Sequence, residues 1–246
     1  QGRAFGYGRP VSPALPSLPA LRASVAAWPR LATAGLSSTE PIGVAVSGGA
    51  DSVYLLLALW ADEALRRRLR VLHFNHRVRG EAADGDATFV QALAAALGLT
   101  CVIGARDLAG LATEAELRSA RLEFFAQQRT ALGLRVIATA HHLDDLVESM
   151  LMRLARGAGL TGLAAPREWQ AFRAGHVHWR PLIGARLTKA ELLAALSAGA
   201  IPWHEDATNQ QPIAVRNRVR AWVGQGGEEA LGPTFTQGFG ASARHL

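Results

Sequence analysis

The sequence Ile-Gly-Val-Ala-Val-Ser-Gly-Gly-Ala-Asp-Ser at residues 42–52 decides the fold of this chain. It begins as a short apolar strand, continues into a loop with two adjacent glycines, and leads into an amphipathic segment over residues 53–65. A loop of this kind directs backbone N–H groups and the positive end of a helix dipole at one point, where an anion binds. The residues predicted to bind phosphate are Ser47, Gly48, Gly49, Ala50, Asp51 and Ser52.

The loop differs from two common phosphate-binding motifs. It lacks the lysine of a Walker A motif and the G-x-G-x-x-G spacing of a dinucleotide site. It resembles instead the pyrophosphate-binding loop of the PP-loop ATP-pyrophosphatase superfamily. That resemblance implies that ATP is cleaved between its α and β phosphates and that a substrate is adenylated. The alternative is an ordinary glycine-rich turn between a strand and a helix.

Composition narrows the class of protein. The 246 residues, 49% of them hydrophobic, fit one large domain or one domain with a small appendage. No apolar run reaches the ~18–20 residues that a membrane-spanning helix needs. The single cysteine, Cys101, excludes an intrachain disulfide and a cysteine-ligated metal cluster within one chain.

The chain is basic, and its positive charge is almost entirely arginine. The net charge is +6, and Lys189 is the only lysine. A basic balance favours an anionic partner, and arginine favours bidentate contacts to phosphate. The alternative source of the arginine excess is the compositional bias of a GC-rich genome.

Strands and helices alternate from residue 42 onward. This alternation predicts an α/β fold, a Rossmann-like parallel sheet with helices on both faces, plus a short helical C-terminal extension. Predicted strands are residues 42–46, 70–74, 100–103 and 135–139, and predicted helices are residues 51–68, 83–97, 114–132 and 143–155. Ligands of such sheets bind beyond the carboxyl ends of the strands, where the glycine loop lies.

We divide the chain into four parts. The expected parts are an N-terminal tail with a short helix (1–38), a PP-loop ATP-binding domain (39–165), the remainder of the core with a helical extension (166–223), and a weakly ordered tail (224–246). The short helix is expected over about residues 20–34, and residues 157–180 as a long connection. Residues 188–191 form a capping box that opens another helix. The acid-poor start leaves an organellar leader open, although we expect a cytoplasmic protein.

A second polar segment, residues 138–148, follows the fourth predicted strand. His141, Asp145 and Glu148 share a face once the helix is established. Two histidines and three acids at a helix N-terminus suit Mg²⁺ binding or general base catalysis. The alternative is helix capping by solvated polar residues.

Other polar residues are candidates for nucleotide or phosphate contact. His73, Asn75 and His76 end the second predicted strand, where a polar loop is the alternative. The candidate arginines are Arg79, Arg118, Arg121, Arg216, Arg218 and Arg220, which an ordinary solvated surface would also explain.

Together these segments resemble the tRNA(Ile)-lysidine synthase family from about residue 31 to 223. The resemblance rests on the glycine loop, on His73-x-Asn75-His76, and on the segment that runs from Ala138 to Glu148. It also includes Arg180-Pro-Leu, Pro202-Trp-x-Glu-Asp and Arg216-Asn-x-x-Arg220. The order and combination of these motifs are specific, although each motif alone is not.

The resemblance implies a reaction and a set of roles. ATP would adenylate the wobble cytidine of a tRNA(Ile) with a CAU anticodon, and free L-lysine would displace AMP. Asp51 and Asp145 would hold Mg²⁺, and His141, Asp145, Glu148 and Arg216 would be catalytic. The residues His73, Asn75 and His76 would bind the nucleotide, and Arg79, Arg118, Arg121, Arg218 and Arg220 would contact tRNA or phosphate. A homodimer is left open.

Three other functions compete with this interpretation. A PP-loop tRNA thiolase generally needs more cysteines than Cys101. A truncated module that binds ATP without turnover is the second alternative. An amidotransferase-fed synthetase is the third, and it would need a separate glutaminase partner.

Overall fold

The computed structural model describes residues 14–37, 39–76, 81–106, 113–163, 166–171, 177–205, 215–243 and 245. Six strands form one sheet: β1 (Ile42–Ala45), β2 (Leu69–Asn75), β3 (Thr100–Ala105), β4 (Val136–Ala138), β5 (Trp169–Ala171) and β6 (Val177–Trp179). Their order across the sheet is β3-β2-β1-β4-β6-β5. All neighbouring pairs are parallel except β5 and β6, which run antiparallel. The α/β fold class is therefore confirmed.

Helices connect and flank the strands. The N-terminal half carries α1 (Leu18–Ala26), α2 (Ala50–Ala61), α3 (Glu63–Arg66), α4 (Glu81–Ala96) and α5 (Glu114–Leu132). The C-terminal half carries α6 (Leu143–Leu154), α7 (Leu160–Leu163), α8 (Pro181–Gly184), α9 (Lys189–Ala198), α10 (Val215–Gln225), α11 (Gly227–Leu231) and α12 (Phe235–Ser242). None of the helices within the described ranges is both long and apolar enough to cross a membrane.

The two faces of the sheet carry separate apolar clusters. Val71 packs into the larger cluster, with α2, α4 and α9, whereas its neighbour Leu72 packs with Phe124 of α5. Successive residues of a strand point to opposite faces, so α5 covers the face opposite α2. Gly43 fits under this second cluster, because a Cβ there would lie 3.0 Å from side-chain atoms of Leu72 and Leu134. Helices on both faces explain why the first three residues of β1 are buried.

Two predicted helices end earlier than expected. The helix predicted over residues 51–68 breaks at Asp62, which has extended backbone angles and caps α3 through a hydrogen bond of 2.9 Å from the Ala64 N–H. The helix predicted over residues 20–34 ends at Ala26. Pro29 follows shortly, and the residue before a proline is disfavoured in helical conformation.

The connection predicted over residues 157–180 is wrong in part, because it contains α7, β5 and β6. Trp169 and Trp179 lie opposite each other across the β5–β6 pair, with ring centroids 5.2 Å apart. Such an aromatic cross-strand pair stabilises short strands that have no clear alternation of apolar and polar residues.

The segment 224–246 also differs from the expectation of a weakly ordered tail. It carries α11 and α12, and Phe235 at the start of α12 is buried against Val147 of α6 and Val223 of α10. Only two aromatic residues, Phe235 and Phe239, lie in this glycine-rich segment. The sequence pattern is therefore weak although the packing is specific.

Phe235→Ala tests whether these C-terminal helices contribute to stability. We expect the free energy of unfolding in urea to fall by about 3 kcal/mol, because a buried aromatic ring is lost and a cavity is left. Leu231→Ala is the matched control, since Leu231 is 57% exposed and the loss there should be small. Equal stability of the Phe235 variant and the wild type would contradict this packing.

Candidate active site

The candidate site lies where the strand order reverses. Strands β2 and β3 lie on one side of β1, whereas β4 lies on the other. In open α/β sheets the crevice at such a switch point, beyond the carboxyl ends of the strands, is the usual place for a ligand. The glycine loop follows β1, and the polar segment at 139–148 follows β4. The topology therefore brings together the two segments that carry the strongest sequence signals.

Ser52 fixes the glycine loop from within. Its buried hydroxyl accepts hydrogen bonds from the backbone N–H groups of Ser47 at 3.1 Å and Gly48 at 3.2 Å, and it donates to the Gly49 carbonyl at 2.9 Å. Gly48 has a φ of 98°, which a residue with a Cβ rarely adopts. The first N–H groups of α2, at Ala50 and Asp51, have no intrahelical acceptor and suit an anion.

A distant segment holds the loop from outside. The backbone N–H of His204 donates to the Gly48 carbonyl at 2.9 Å. The His204 ring stacks on Phe89 of α4 with centroids 4.5 Å apart, and its Nδ1 lies 2.7 Å from Asp86 Oδ1. The loop therefore has a defined position relative to α4 and to residues 201–205.

Three carboxylates surround His142, the residue that precedes α6. Its Nδ1 lies 3.2 Å from Asp144 Oδ2, and its Nε2 lies 3.5 Å from Asp145 Oδ2 and 3.8 Å from Asp51 Oδ2. Burial alone would lower the pKa of His142, but Asp145, the hydrogen bond to Asp144, and Asp51 together raise it above its usual value. The imidazole is therefore favoured in its charged form and offsets repulsion among the acids.

Lys189 adds a second cation to this group. Its Nζ lies 2.5 Å from Asp51 Oδ1, and its backbone N–H donates to Asp144 Oδ2 at 2.8 Å. Sequence reasoning assigned no role to Lys189, and it included His142 only as one of the two histidines at the start of the helix. The one signal for Lys189 was the presence of the chain's single lysine inside a capping box.

Glu148 and Arg220 form a bidentate pair between α6 and α10. Arg220 Nε lies 2.9 Å from Glu148 Oε1, and Nη2 lies 3.3 Å from Oε2. The same Nη2 lies 3.6 Å from Asp145 Oδ1. Glu148 is almost fully buried, so this geometry places Arg220 at the acids, whereas the sequence interpretation placed it at phosphate.

His141 and the residues that end β2 have different surroundings. His141 precedes α6 and its Nδ1 lies 3.0 Å from the Thr139 hydroxyl, so it is not on the helix face with Asp145 and Glu148. His73 is buried with Nδ1 2.8 Å from the Val46 carbonyl, to which it must donate. Burial lowers the pKa of His73, which favours the neutral ring.

Arginines near β6 and α5 form a positive group. Arg118 and Arg121 are exposed on α5, and Arg180 is buried just after β6. Burial lowers the pKa of the Arg180 guanidinium, and the nearby positive charge of Arg118 lowers it further. The structure thus adds Arg180 to the predicted pair.

The remaining predicted arginines are only partly described. Arg218 lies exposed on α10. Arg216 is also on this helix, but its side chain lies outside the described residues, as does the whole of Arg79.

The residues beyond the carboxyl ends of β1, β2 and β4 fit a nucleotide and a divalent cation. His73 Nε2 and His76 Nδ1 are buried and have no hydrogen-bond partner within the described residues, as suits groups that contact a ligand. Asp51 and Asp145 both approach His142 Nε2, so their carboxylates are neighbours. Mg²⁺ is usually held by one or two carboxylates together with substrate phosphates. Across the described ranges, no group of three or more His, Cys, Asp or Glu side chains is arranged to hold a metal.

The fold and the glycine loop define the class of protein. Residues 27–226 match the PP-loop domain family, which covers most of the chain. A solved structure of the U34-tRNA thiolase NcsA from Methanococcus maripaludis has the same fold, with a TM-score of 0.64, 14% identity, and coverage of 92% of this chain and 78% of that one.

Curated relatives identify the family within this class. The tRNA(Ile)-lysidine synthase of Polaromonas naphthalenivorans is 36% identical over 240 residues, which cover 96% of this chain and 69% of the relative. That of Geobacter sulfurreducens is 41% identical over 187 residues, which cover 74% of this chain and 39% of the relative. The matched region of this chain spans about two fifths of the Geobacter protein. The chain belongs to the tRNA(Ile)-lysidine synthase family.

The charge on His142 predicts a pH dependence of stability. Because its pKa is raised in the folded protein, its stabilisation is fully present below the unfolded pKa of about 6.5 and is lost as pH rises through the folded pKa. We expect His142→Gln to cost more free energy of unfolding at about pH 5.5 than at about pH 8.5. Urea unfolding in metal-free buffer measures both values.

His73→Gln is the control with the opposite sign. The pKa of His73 is lowered, so its stabilisation is present above about pH 6.5 and is lost as pH falls through the folded pKa. The loss of free energy of unfolding caused by His73→Gln should therefore be larger at the higher pH. Parallel pH profiles for the two variants would refute the assignment of charge to His142.

Proposed function

We propose that this chain is an ATP-dependent ligase that converts the wobble cytidine of CAU-anticodon tRNA(Ile) to lysidine. The observation that carries the proposal is the meeting of the Ser52-fixed loop with Asp51, His142 and Asp145 at the switch point of the sheet. An anion-binding loop beside neighbouring carboxylates suits transfer of an adenylyl group. Membership of the family supports the choice of substrates.

The proposed reaction has two steps. First, O2 of the cytidine bonds to the α-phosphorus of ATP, and the bond from that phosphorus to the bridging oxygen breaks, so pyrophosphate leaves. Next, the ε-nitrogen of free lysine, which has given up a proton, bonds to C2. The C2–O2 bond then breaks, and AMP leaves with the oxygen.

The chain's own residues have distinct parts in this scheme. Ala50 and Asp51 at the start of α2 would bind phosphate oxygens through backbone N–H groups. Mg²⁺, when bound by Asp51 and Asp145, supplies charge neutralisation to the phosphates. His73 Nε2 and His76 Nδ1 would contact the nucleotide, because both are buried without a partner in the described part of the chain.

Asp145 is the better candidate to receive the lysine amine and its proton. Both carboxylate oxygens of Glu148 are already engaged, by Nε and Nη2 of Arg220. Asp145 accepts the backbone N–H of His142 at 3.1 Å, and its Oδ2 lies 3.5 Å from His142 Nε2, the atom that Asp51 of the loop also approaches. We therefore assign Glu148 and Arg220 to positioning Asp145, and we keep Arg216 as a proposed catalytic residue and His141 as a proposed contact to the reacting groups.

Arginines would bind the tRNA backbone. Arg118, Arg121 and Arg180 concentrate positive charge beside the site, and Arg218 extends the positive surface along α10. Contacts of this kind bind RNA largely through phosphate and shape, and they weaken as salt increases. A cytoplasmic location would place the protein with its tRNA, and a homodimer stays a prediction.

The activity test measures AMP released from labelled ATP, with CAU-anticodon tRNA(Ile), in the presence and absence of lysine. Nucleoside analysis of the same tRNA detects lysidine. We expect AMP and lysidine to form together and both to require lysine, because AMP leaves only when the lysine nitrogen has attacked C2. Binding of ATP without AMP and without modified cytidine would instead support a module that binds ATP without turnover.

Asp145→Asn tests the proposed role of this carboxylate. An asparagine oxygen can still accept the His142 N–H, so the fold should persist while the charge is lost. We expect AMP formation to fall by at least about a hundredfold, because general base and electrostatic contributions of one group are of this size.

Asp62→Asn is the matched control for this variant. Asp62 also caps a helix, but it lies at the end of α2 remote from the loop. Its AMP formation should equal that of the wild type. Wild-type turnover in the Asp145 variant would remove Asp145 from the mechanism.

A further inference from the structure

The chain's only lysine lies at the glycine loop. The sequence has one lysine among 26 basic residues of the Lys and Arg types, so arginine is used at every other position. Lys189 Nζ lies 2.5 Å from Asp51 Oδ1, within the segment predicted to bind pyrophosphate. A lysine ammonium is a compact charge with three donors, whereas arginine has a planar fork.

The backbone of Lys189 is fixed by hydrogen bonds on both sides. Thr188 and Glu191 form a reciprocal capping box around it, with the Thr188 N–H donating to Glu191 at 2.7 Å. The Lys189 N–H itself donates to Asp144 at 2.8 Å. Behind it, Leu192 and Leu196 bury α9 against the core. The Lys189 side chain therefore extends from a rigid base toward the loop.

The position of this ammonium is electrostatically costly without an anion. Lys189 is the first residue of α9, and Asp51 lies in the first turn of α2, so the ammonium lies near the positive ends of two helix dipoles. Cations are disfavoured at helix N-termini. Asp51 offsets this cost, and a phosphate at the loop would offset it further.

The ion pair also has capacity for a second anion. Within the described residues, Asp51 is the one hydrogen-bond partner of Lys189 Nζ, which has three N–H groups. Both side chains remain accessible, at 39% exposure for Lys189 and 33% for Asp51. A buried structural ion pair would be closed to solvent, whereas this one is open to solvent.

We propose that Lys189 is a phosphate-binding residue of the ATP site, and that its ammonium bridges Asp51 and the pyrophosphate portion of ATP. This inference rests on the ATP binding in the proposed function. The ammonium removes the repulsion between Asp51 and the phosphates. It also stays beside the pyrophosphate as negative charge develops on the leaving oxygen.

The single lysine allows a direct test by NMR. Growth with lysine labelled with ¹³C at Cε and ¹⁵N at Nζ, and expression without a lysine-containing tag, gives one labelled side chain. We expect its signal to shift on addition of magnesium pyrophosphate or α,β-methylene-ATP, and to stay unchanged with AMP. AMP lacks the β and γ phosphates and is the matched ligand control.

Substitution gives an independent test by calorimetry. Lys189→Gln should weaken binding of magnesium pyrophosphate by about ten- to a hundredfold, the effect of one charge-assisted hydrogen bond. Lys189→Arg should retain part of the affinity because the charge remains. Arg135→Gln is the control. Arg135 is exposed and precedes the amino end of β4, whereas the site lies at the carboxyl ends of the strands.

Two outcomes would overturn the proposal. One is a Lys189 signal that does not move while calorimetry shows pyrophosphate bound to the wild-type protein. The other is a folded Lys189→Gln variant that binds magnesium pyrophosphate with wild-type affinity. If that variant does not fold, the NMR titration of the wild-type protein alone decides whether Lys189 contacts pyrophosphate. Failure of the proposed function looks different: the wild type would bind pyrophosphate through Lys189 yet release no AMP with tRNA and lysine.

Discussion

Repulsion among Asp51, Asp144 and Asp145 is the constraint on which the rest of the site depends. Parallel topology brings the ends of β1 and β4 side by side, and each is followed by an acid-bearing helix N-terminus. Helix dipoles favour carboxylates there, but three of them at one place need cations as well. His142, Lys189 and Arg220 meet that need with nitrogen–oxygen distances from 2.5 to 3.8 Å.

This compensation also explains how the later helices are positioned. Lys189 begins α9 and Arg220 belongs to α10, so each helix contributes its cation to the acids at the loop. The apolar contacts of α10 and α12 with α6 lie behind these charges. Packing brings the helices near the sheet, and the ion pairs select their position along it. A phosphate site and a scaffold are thus built from the same charges.

Local patterns in the sequence predicted the parts of the fold in which one signal dominates. The strands β1 to β4 and the helices α5, α6 and α9 have strong apolar periodicity or a capping box, and the structure confirms them. Strands β5 and β6 are stabilised by one tryptophan pair, and the sequence does not show that the two rings are neighbours until the strands are paired. Among the site residues, Ser52, Asp51 and Asp145 lie in local motifs, so the sequence alone identified them as candidates. Lys189 and His204 act through partners distant in sequence, and periodicity carries no information about such partners.

The contact between His204 and Gly48 has a consequence for the order in which the protein is made. The loop is synthesised early, but the N–H that bonds to the Gly48 carbonyl belongs to His204, which follows α9 much later in the chain. The contacts of Phe89 and Asp86 with the His204 ring also form only after His204 has been synthesised. A nascent chain that has not yet released residue 204 from the ribosome therefore has the glycines and serines of the loop without the clamp that completes it. The loop that binds ATP is therefore complete only after the chain has emerged beyond residue 204.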